Sequence, residues 1–114
     1  VLIDLLDIYR QINVDVFAPG VQIYATVPNN KYKFLQGTSM ASPNVAGVAA
    51  LIRSYYPKLK AAQVKQILMK SGLPIQTKAV MGGKEENIKN LNEVSTSGTI
   101  VNAYNALIMA EMTK

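Results

Sequence analysis

Residues 36–50 read QGTSMASPNVAGVAA, and the rest of the chain is best understood outward from this stretch. It places one small hydroxyl residue, Ser39, after Gly37-Thr38 and ahead of a run of Ala, Val and Gly that predicts a buried helix. The amino end of a helix presents unpaired backbone N–H groups and a partial positive charge. An oxyanion formed beside Ser39 would be stabilised there, which is the arrangement that acyl transfer requires.

Three stretches resemble one known family. Residues 37–47, GTSMASPNVAG, resemble the nucleophile motif of the subtilisin-like serine proteases, although Asn44 stands where that family often has histidine. Residues 14–20, VDVFAPG, resemble the strand and turn ahead of that motif, and residues 98–107, GTIVNAYNAL, are similar to the closing segment. The resemblance covers residues from Asn13 to Ala110. It implies an incomplete, three-layer α/β fold of the subtilisin type, in which short strands lead into a buried helix and two further helices follow.

The resemblance also implies a role for each residue of the motif. Ser39 would be the catalytic nucleophile that attacks a carbonyl of a peptide or protein substrate, and its own backbone N–H would help to hold the oxyanion. Thr38 is a second oxyanion candidate, and a plain turn residue explains it equally well. Outside the family, a serine in this position is most often an N-cap. The second oxyanion donor of the family is an upstream asparagine, and none of the asparagines here can be matched to it.

The chain contains no histidine. The Ser-His-Asp mechanism needs an imidazole to take the hydroxyl proton and a carboxylate to orient that imidazole. In subtilisins both groups precede the serine along the chain. We therefore expect residues 13–114 to be the carboxy-terminal portion of a catalytic domain, nearly inactive alone, whose partner is the missing amino-terminal part of that domain.

Residues 1–12, VLIDLLDIYRQI, do not fit the family pattern. The Ser/Asn/Gly-rich turn that usually precedes the V-D-V strand is missing from them. Two interpretations stay open: a scar left by truncation or a frameshift, and an amphipathic helix that covers a surface exposed by truncation.

The amino-acid composition excludes several classes of protein and of functional site. With 114 residues, 49 % hydrophobic and 17 % charged, the chain suits one globular domain and argues against disorder. The absence of cysteine removes disulfides and thiolate nucleophiles. We expect no metal site and no cofactor, because the acidic pairs lack calcium-loop spacing: Asp4 with Asp7, and Glu85 with Glu86. Asp15 is rejected as the triad acid, because it lies inside the V-D-V strand.

The net charge of +5 is spread along the chain. Nucleic-acid binding would need a clustered basic face, so none is expected. Four lysines come closest to a basic cluster, and we interpret them as the solvated face of a helix: Lys58, Lys60, Lys65 and Lys70. Neither a membrane span of about 20 apolar residues nor a signal peptide is visible. The family resemblance implies secretion or a cell-envelope location for the parent protein.

Periodicity predicts strands over residues 13–18, 21–27 and 32–35, with a turn over residues 28–31. It predicts helices from Ser39 or Ser42 to Tyr55, from Lys60 to Lys70, and after an Asn102 cap. Local rules favour Ser42 as the first N-cap with Pro43 at the first helical position. Residues 73–92 are predicted to be a long surface excursion.

Two functions of other classes stay open. The chain could be a non-catalytic remnant or protein-interaction module that docks through an exposed sheet edge and apolar face. A small basic helical domain that binds nucleic acid is the third alternative, and little in the lysine distribution favours it.

Overall fold

A computed structural model describes residues 14–74, 78–80, 88–90 and 95–114. Within these ranges the chain forms three helices and six short strands, a mixed α/β arrangement. The strands are β1 (Ile23–Val27), β2 (Lys31–Leu35), β3 (Leu73–Pro74), β4 (Lys78–Val80), β5 (Ile88–Asn90) and β6 (Thr99–Ile100). The helices are α1 (Thr38–Tyr55), α2 (Ala61–Ser71) and α3 (Ala103–Thr113). The lead-in assigned to residues 1–12 lies outside the described residues.

Strands β1 and β2 form an antiparallel hairpin, in register from Ile23↔Leu35 to Val27↔Lys31. The turn between them places Asn29 (φ 68°) and Asn30 (φ 57°) in the left-handed region. Asparagine tolerates that region better than most residues, which is why it suits tight hairpin turns. The two strands and their turn are confirmed as predicted.

Residues 14–18 form less structure than the predicted strand. They run extended beside β6 with a single parallel bridge, Phe17↔Ile100. The Phe17 N–H donates to the Thr99 carbonyl and the Val101 N–H donates to the Phe17 carbonyl, both at 2.9 Å. Backbone bonds to residues 96–101 hold residues 14–17 in place without forming a regular ladder.

The end of α2 lies against β6 at very close range. A Cβ added at Gly72 would sit 2.4 Å from Thr99 Oγ1, so only glycine fits there. The Thr99 hydroxyl also donates to the Met69 carbonyl at 3.1 Å. Strand β3 then pairs antiparallel with β6, from Leu73↔Ile100 to Pro74↔Thr99. These contacts join α2 to residues 98–107, which resemble the closing segment of the family.

Helix α1 begins earlier than local capping rules predict. Its N-cap is Gly37, and Pro43 lies inside the helix. The prediction of Ser42 as N-cap with Pro43 at the first helical position is therefore wrong, because the chain turns into the helix directly at Gly37. The helix ends at Tyr55, and Tyr56 takes a non-helical conformation (φ −127°) ahead of Pro57.

The other two helices start with side-chain caps. At α2 the Gln63 side chain accepts the Lys60 backbone N–H at 2.8 Å. At α3 the Asn102 side chain accepts the Asn105 N–H at 2.8 Å, as the sequence predicted. Each cap satisfies one of the backbone donors that a helix start leaves open.

The three helices pack around one apolar core. Its buried members are Ile52, Leu59, Val64, Ile67, Leu68, Ala106 and Ala110. Ala106 and Ala110 have no exposed surface, so the backbone of α3 approaches its neighbours closely. Ile52 is the largest apolar side chain that is fully buried. This core fixes the carboxy-terminal end of α1 and leaves its amino end beside the hairpin.

Helix α1 is far more exposed than the predicted buried helix. Of its residues, only Ala41 and Ile52 are buried. Ala46, Gly47 and Ala50 are exposed, and the position of a Cβ on Gly47 faces open space. The prediction fails for this chain, because small side chains mark a surface that a neighbour can approach and the described residues supply no such neighbour.

Residues 73–92 are not a plain loop in the part that can be described. Besides β3, they contain β4 and β5, which pair antiparallel from Lys78↔Asn90 to Val80↔Ile88. The remainder of the predicted excursion lies outside the described residues. No helix in the described ranges is both long enough and apolar enough to span a bilayer.

Candidate active site

Ser39 lies in the first turn of α1 with its side chain exposed. The N-cap is Gly37, which provides no side-chain cap, and residues 38–41 contain no acid. The amides of Thr38 and Ser39 are among the first-turn donors for which a helix offers no acceptor. The helix dipole adds a partial positive charge at the same place. The Ser39 hydroxyl therefore stands beside N–H groups that could stabilise an anion.

The backbone conformation at the start of α1 requires glycine at position 37. Its φ of 135° and ψ of 164° belong to a region that only glycine adopts readily. A Cβ there would lie 3.3 Å from Ser39 Oγ, tighter than an ordinary contact. The Gly37 N–H donates to the Gly20 carbonyl at 2.7 Å, which closes the base of the β1–β2 hairpin. The hairpin thereby fixes the start of α1.

Asn44 connects α1 to the turn that precedes the hairpin. Its side-chain Nδ2 donates to the Pro19 carbonyl at 2.9 Å and to the Met40 carbonyl at 3.2 Å. In the sequence, Asn44 stands out only as a departure from the family pattern. The signal that could have indicated more was its place one turn after Met40, within reach of that carbonyl.

The groups that could assist Ser39 are not assembled in the described part of the chain. The Asp15 carboxylate forms an ion pair with Lys65 Nζ at 3.0 Å, on α2. Both side chains are about half exposed, so the pair contributes little to stability. The acidic pairs Asp4/Asp7 and Glu85/Glu86 lie outside the described residues. Among those that are described, no three His, Cys, Asp or Glu side chains come together as a metal site would need.

Shifted pKa values occur at the opposite end of α1. The Tyr56 hydroxyl donates to Glu111 Oε2 at 2.6 Å, and this bond is the main cause of the raised pKa of Tyr56. The pKa of Glu111 is lowered, chiefly by its bond to Lys114 and then by Tyr56. These groups fasten α1 to α3, and about 25 Å of helix separates Tyr56 from Ser39.

A concave apolar surface of about 400 Å³ lies between residues 15–16, α1 and α2. Its lining includes Val45, Ala49 and Leu68. Ser39 is not part of it. Beside the exposed small residues of α1, this hollow is a second apolar surface that the described residues leave uncovered.

Comparisons with known proteins identify the family of this chain. The sequence profile of the Subtilase family, peptidase family S8, matches residues 6–103. Subtilisin DY of Bacillus licheniformis is 60 % identical over 55 residues, which are 48 % of this chain and 20 % of that protein. The cell wall-associated protease of Bacillus subtilis is 41 % identical over 73 residues, which are 64 % of this chain and 8 % of that protein.

The fold is shared with a solved structure. A chain of the subtilase cytotoxin SubAB superposes with a TM-score of 0.74 and 28 % sequence identity, covering 92 % of this chain and 29 % of that one. This chain thus spans a fifth or less of the two relatives above and less than a third of the cytotoxin chain. It belongs to the Subtilase family and corresponds to part of the catalytic domain.

Proposed function

We propose that residues 13–114 are the carboxy-terminal portion of the catalytic domain of a serine endopeptidase, with Ser39 as its nucleophile. One observation carries the proposal: an exposed serine hydroxyl lies in the first turn of α1, inside the GTSMASP motif, beside a glycine N-cap. An N-cap role for Ser39 is disfavoured, because Gly37 occupies the cap position and Ser39 is already helical.

The chemistry divides between this chain and the missing part of the domain. Ser39 Oγ attacks the substrate carbonyl while a histidine from the missing part takes the hydroxyl proton. The negative charge that develops on the carbonyl oxygen is held by the Ser39 N–H, with Thr38 beside it. The same histidine then protonates the leaving amine, and water releases the acyl group from Ser39.

The missing part would also complete the three-layer fold. Helix α1 exposes a strip of small residues at Ala46, Gly47 and Ala50, which a neighbouring element can approach closely. Covering that strip would turn α1 into the buried helix that the sequence predicts. This chain alone therefore lacks both the proton-transfer groups and the packing that would hold a substrate against Ser39.

A chimera tests the proposal. Residues 14–71 of this chain replace their counterpart in subtilisin DY, whose remaining chain supplies the histidine and aspartate. We expect hydrolysis of a peptide substrate, and we expect Ser39→Ala to lower kcat by about 10⁶-fold, the magnitude known for subtilisin itself. Ser42→Ala, three residues on in the same helix, is the matched control and should change kcat less than about tenfold. Equal losses at the two serines would refute the proposal.

A second candidate function is a non-catalytic interaction module. The exposed surface of α1 and the hollow beside Val45 and Ala49 favour it, because uncovered apolar surfaces mark sites of association. It predicts that the chimera folds and shows no hydrolysis. Hydrolysis that depends on Ser39 would exclude this candidate as the sole function.

We further propose that the parent protein acts outside the cytoplasm, either secreted or in the cell envelope. The support is the family and the similarity to a cell wall-associated protease. Immunodetection of the chain in culture medium or envelope fractions would agree with this location, whereas detection in cytosol alone would contradict it.

A further inference from the structure

We infer that Asn44 is a positioning residue for Ser39, an inference that rests on the proposed function above. Asn44 lies on α1 one turn beyond Met40. Its side-chain amide bridges two segments of the chain, by donating to the Pro19 carbonyl at 2.9 Å and to the Met40 carbonyl at 3.2 Å. One bond reaches the turn before the hairpin, and the other reaches the residue that follows Ser39.

The orientation of the Asn44 amide follows from its partners. Both are backbone carbonyl oxygens, which can only accept, so the NH₂ group must face them. The bridge therefore depends on a donor. An aspartate of the same shape would present oxygen to oxygen and lose both bonds.

Pro43 explains why such a bridge is needed at this point of α1. In a regular helix the N–H of residue 43 would donate to the carbonyl of Ser39, and proline has no N–H to give. The turn that carries Ser39 is thus tied to the helix body by one bond fewer than usual. The Asn44 side chain compensates one residue later, by anchoring the Met40 carbonyl.

The other side of Ser39 is held by a second bond. The Gly37 N–H donates to the Gly20 carbonyl at 2.7 Å, and Gly20 follows Pro19 directly. The Gly20 carbonyl therefore accepts a bond from Gly37, two residues before Ser39. The neighbouring Pro19 carbonyl accepts a bond from Asn44, five residues after Ser39. Both bonds anchor the Ser39 turn to the same short segment, which sets the direction of the hydroxyl.

Two Asn→Asp substitutions separate positioning from general stability. At Asn44 the substitution removes a donor, whereas at Asn102 it keeps the acceptor that caps α3. We expect N44D to shift the amide resonances of residues 37–40 and to speed hydrogen exchange of the bonded amides of Gly37 and Met40 at least tenfold, with α3 amides unchanged. N102D should leave residues 37–40 unchanged. Uniform acceleration in N44D, in α3 as much as in residues 37–40, would show a merely structural role and overturn the inference.

Rescue by another donor gives the second measurement. Histidine places its Nδ1 at the same distance from Cα as the asparagine Nδ2, so N44H can restore the bond to Pro19, whereas N44L cannot. In the chimera, N44L should lower kcat about tenfold or more with little change in KM, and N44H should recover most of it. A loss of kcat in both N44L and N44H, or in neither variant, would contradict the inference. The resonance shifts do not need catalysis, so they test Asn44 even if Ser39 proves not to be the nucleophile.

Discussion

At the scale of single residues, the site depends on the backbone of Gly37 as much as on Ser39. The sequence predicts that Ser39 lies at a helix start, and the structure has it in the first turn of α1. Local capping rules favour a later start at Ser42, and they fail because they weigh local preferences, whereas the hairpin decides where the chain turns. The Asn44 bridge was also missed, since it depends on the distant residue Pro19.

Substitution of Gly37 by alanine should disturb this turn specifically. The φ of 135° is strained for any side chain, and the new Cβ would crowd Ser39 Oγ at 3.3 Å. We expect the free energy of unfolding to fall by about 1–3 kcal/mol. Gly47→Ala is the control. Its new Cβ would enter open space at a position in the middle of α1, so the free energy of unfolding should rise by up to about 1 kcal/mol. Urea unfolding of both variants measures the difference, and equal effects would contradict the role given to Gly37.

At the scale of elements, the sequence predicts best what depends on neighbours along the chain. The hairpin, α2, and α3 with its Asn102 cap all follow from local pattern. The strand at residues 14–18 and the burial of α1 depend on distant partners. The apolar pattern of these two segments shows that their surfaces can be covered, and it does not show whether the covering element is present.

The helix core provides a test at this scale. Ile52 is fully buried where α1, α2 and α3 meet. Ile52→Ala should lower the free energy of unfolding by about 2–5 kcal/mol, from lost burial and the cavity left behind. Leu51→Ala, on the neighbouring and 37 % exposed position, should lower it by less than about 2 kcal/mol. A larger loss at Leu51 than at Ile52 would mean that the helices pack differently.

The contact between α1 and α3 should depend on pH. Because the folded state lowers the pKa of Glu111, its contribution is complete above the ordinary glutamate pKa and is lost as pH falls through the lowered value. The raised pKa of Tyr56 acts in the opposite direction: its contribution is complete below the ordinary tyrosine pKa and is lost as pH rises through the raised value. Glu111 is exposed and Tyr56 is half-buried at the surface, so the effect is small.

Tyr56→Phe tests this dependence. We expect the wild-type chain to have the higher melting temperature at about pH 7 and the difference to shrink at about pH 3, below the usual glutamate pKa. Calorimetry at the two pH values measures it. A difference that is the same at both would show that the Glu111 carboxylate does not take part.

At the scale of the whole molecule, the proposed nucleophile Ser39 has no histidine in this chain to act as its base. The chain lacks histidine throughout and spans a fifth of subtilisin DY. The sequence predicts a dependence on a missing part, because the order of the catalytic groups in subtilisins places two of them ahead of the serine. Which surfaces of α1 such a part would cover does not follow from the sequence, since those contacts would be made by residues of another segment.

The isolated chain should therefore be inert. We expect no hydrolysis of a peptide substrate and no labelling of Ser39 by an organophosphonate, because nothing in the chain removes the hydroxyl proton efficiently. Intact-mass spectrometry after incubation measures the adduct. An adduct on Ser39 without any added chain would contradict the dependence on the missing part.

Organophosphonate labelling of the chimera, in which residues 14–71 of this chain replace their counterpart in subtilisin DY, tests the central claim most directly. After reaction with an organophosphonate, peptide mass spectrometry locates the adduct. We predict one phosphonylated serine, Ser39, and no adduct in Ser39→Ala, while Ser42→Ala is labelled as fast as the parent chimera. An active chimera whose adduct lies on another serine, or survives Ser39→Ala, would contradict the claim that Ser39 is the nucleophile.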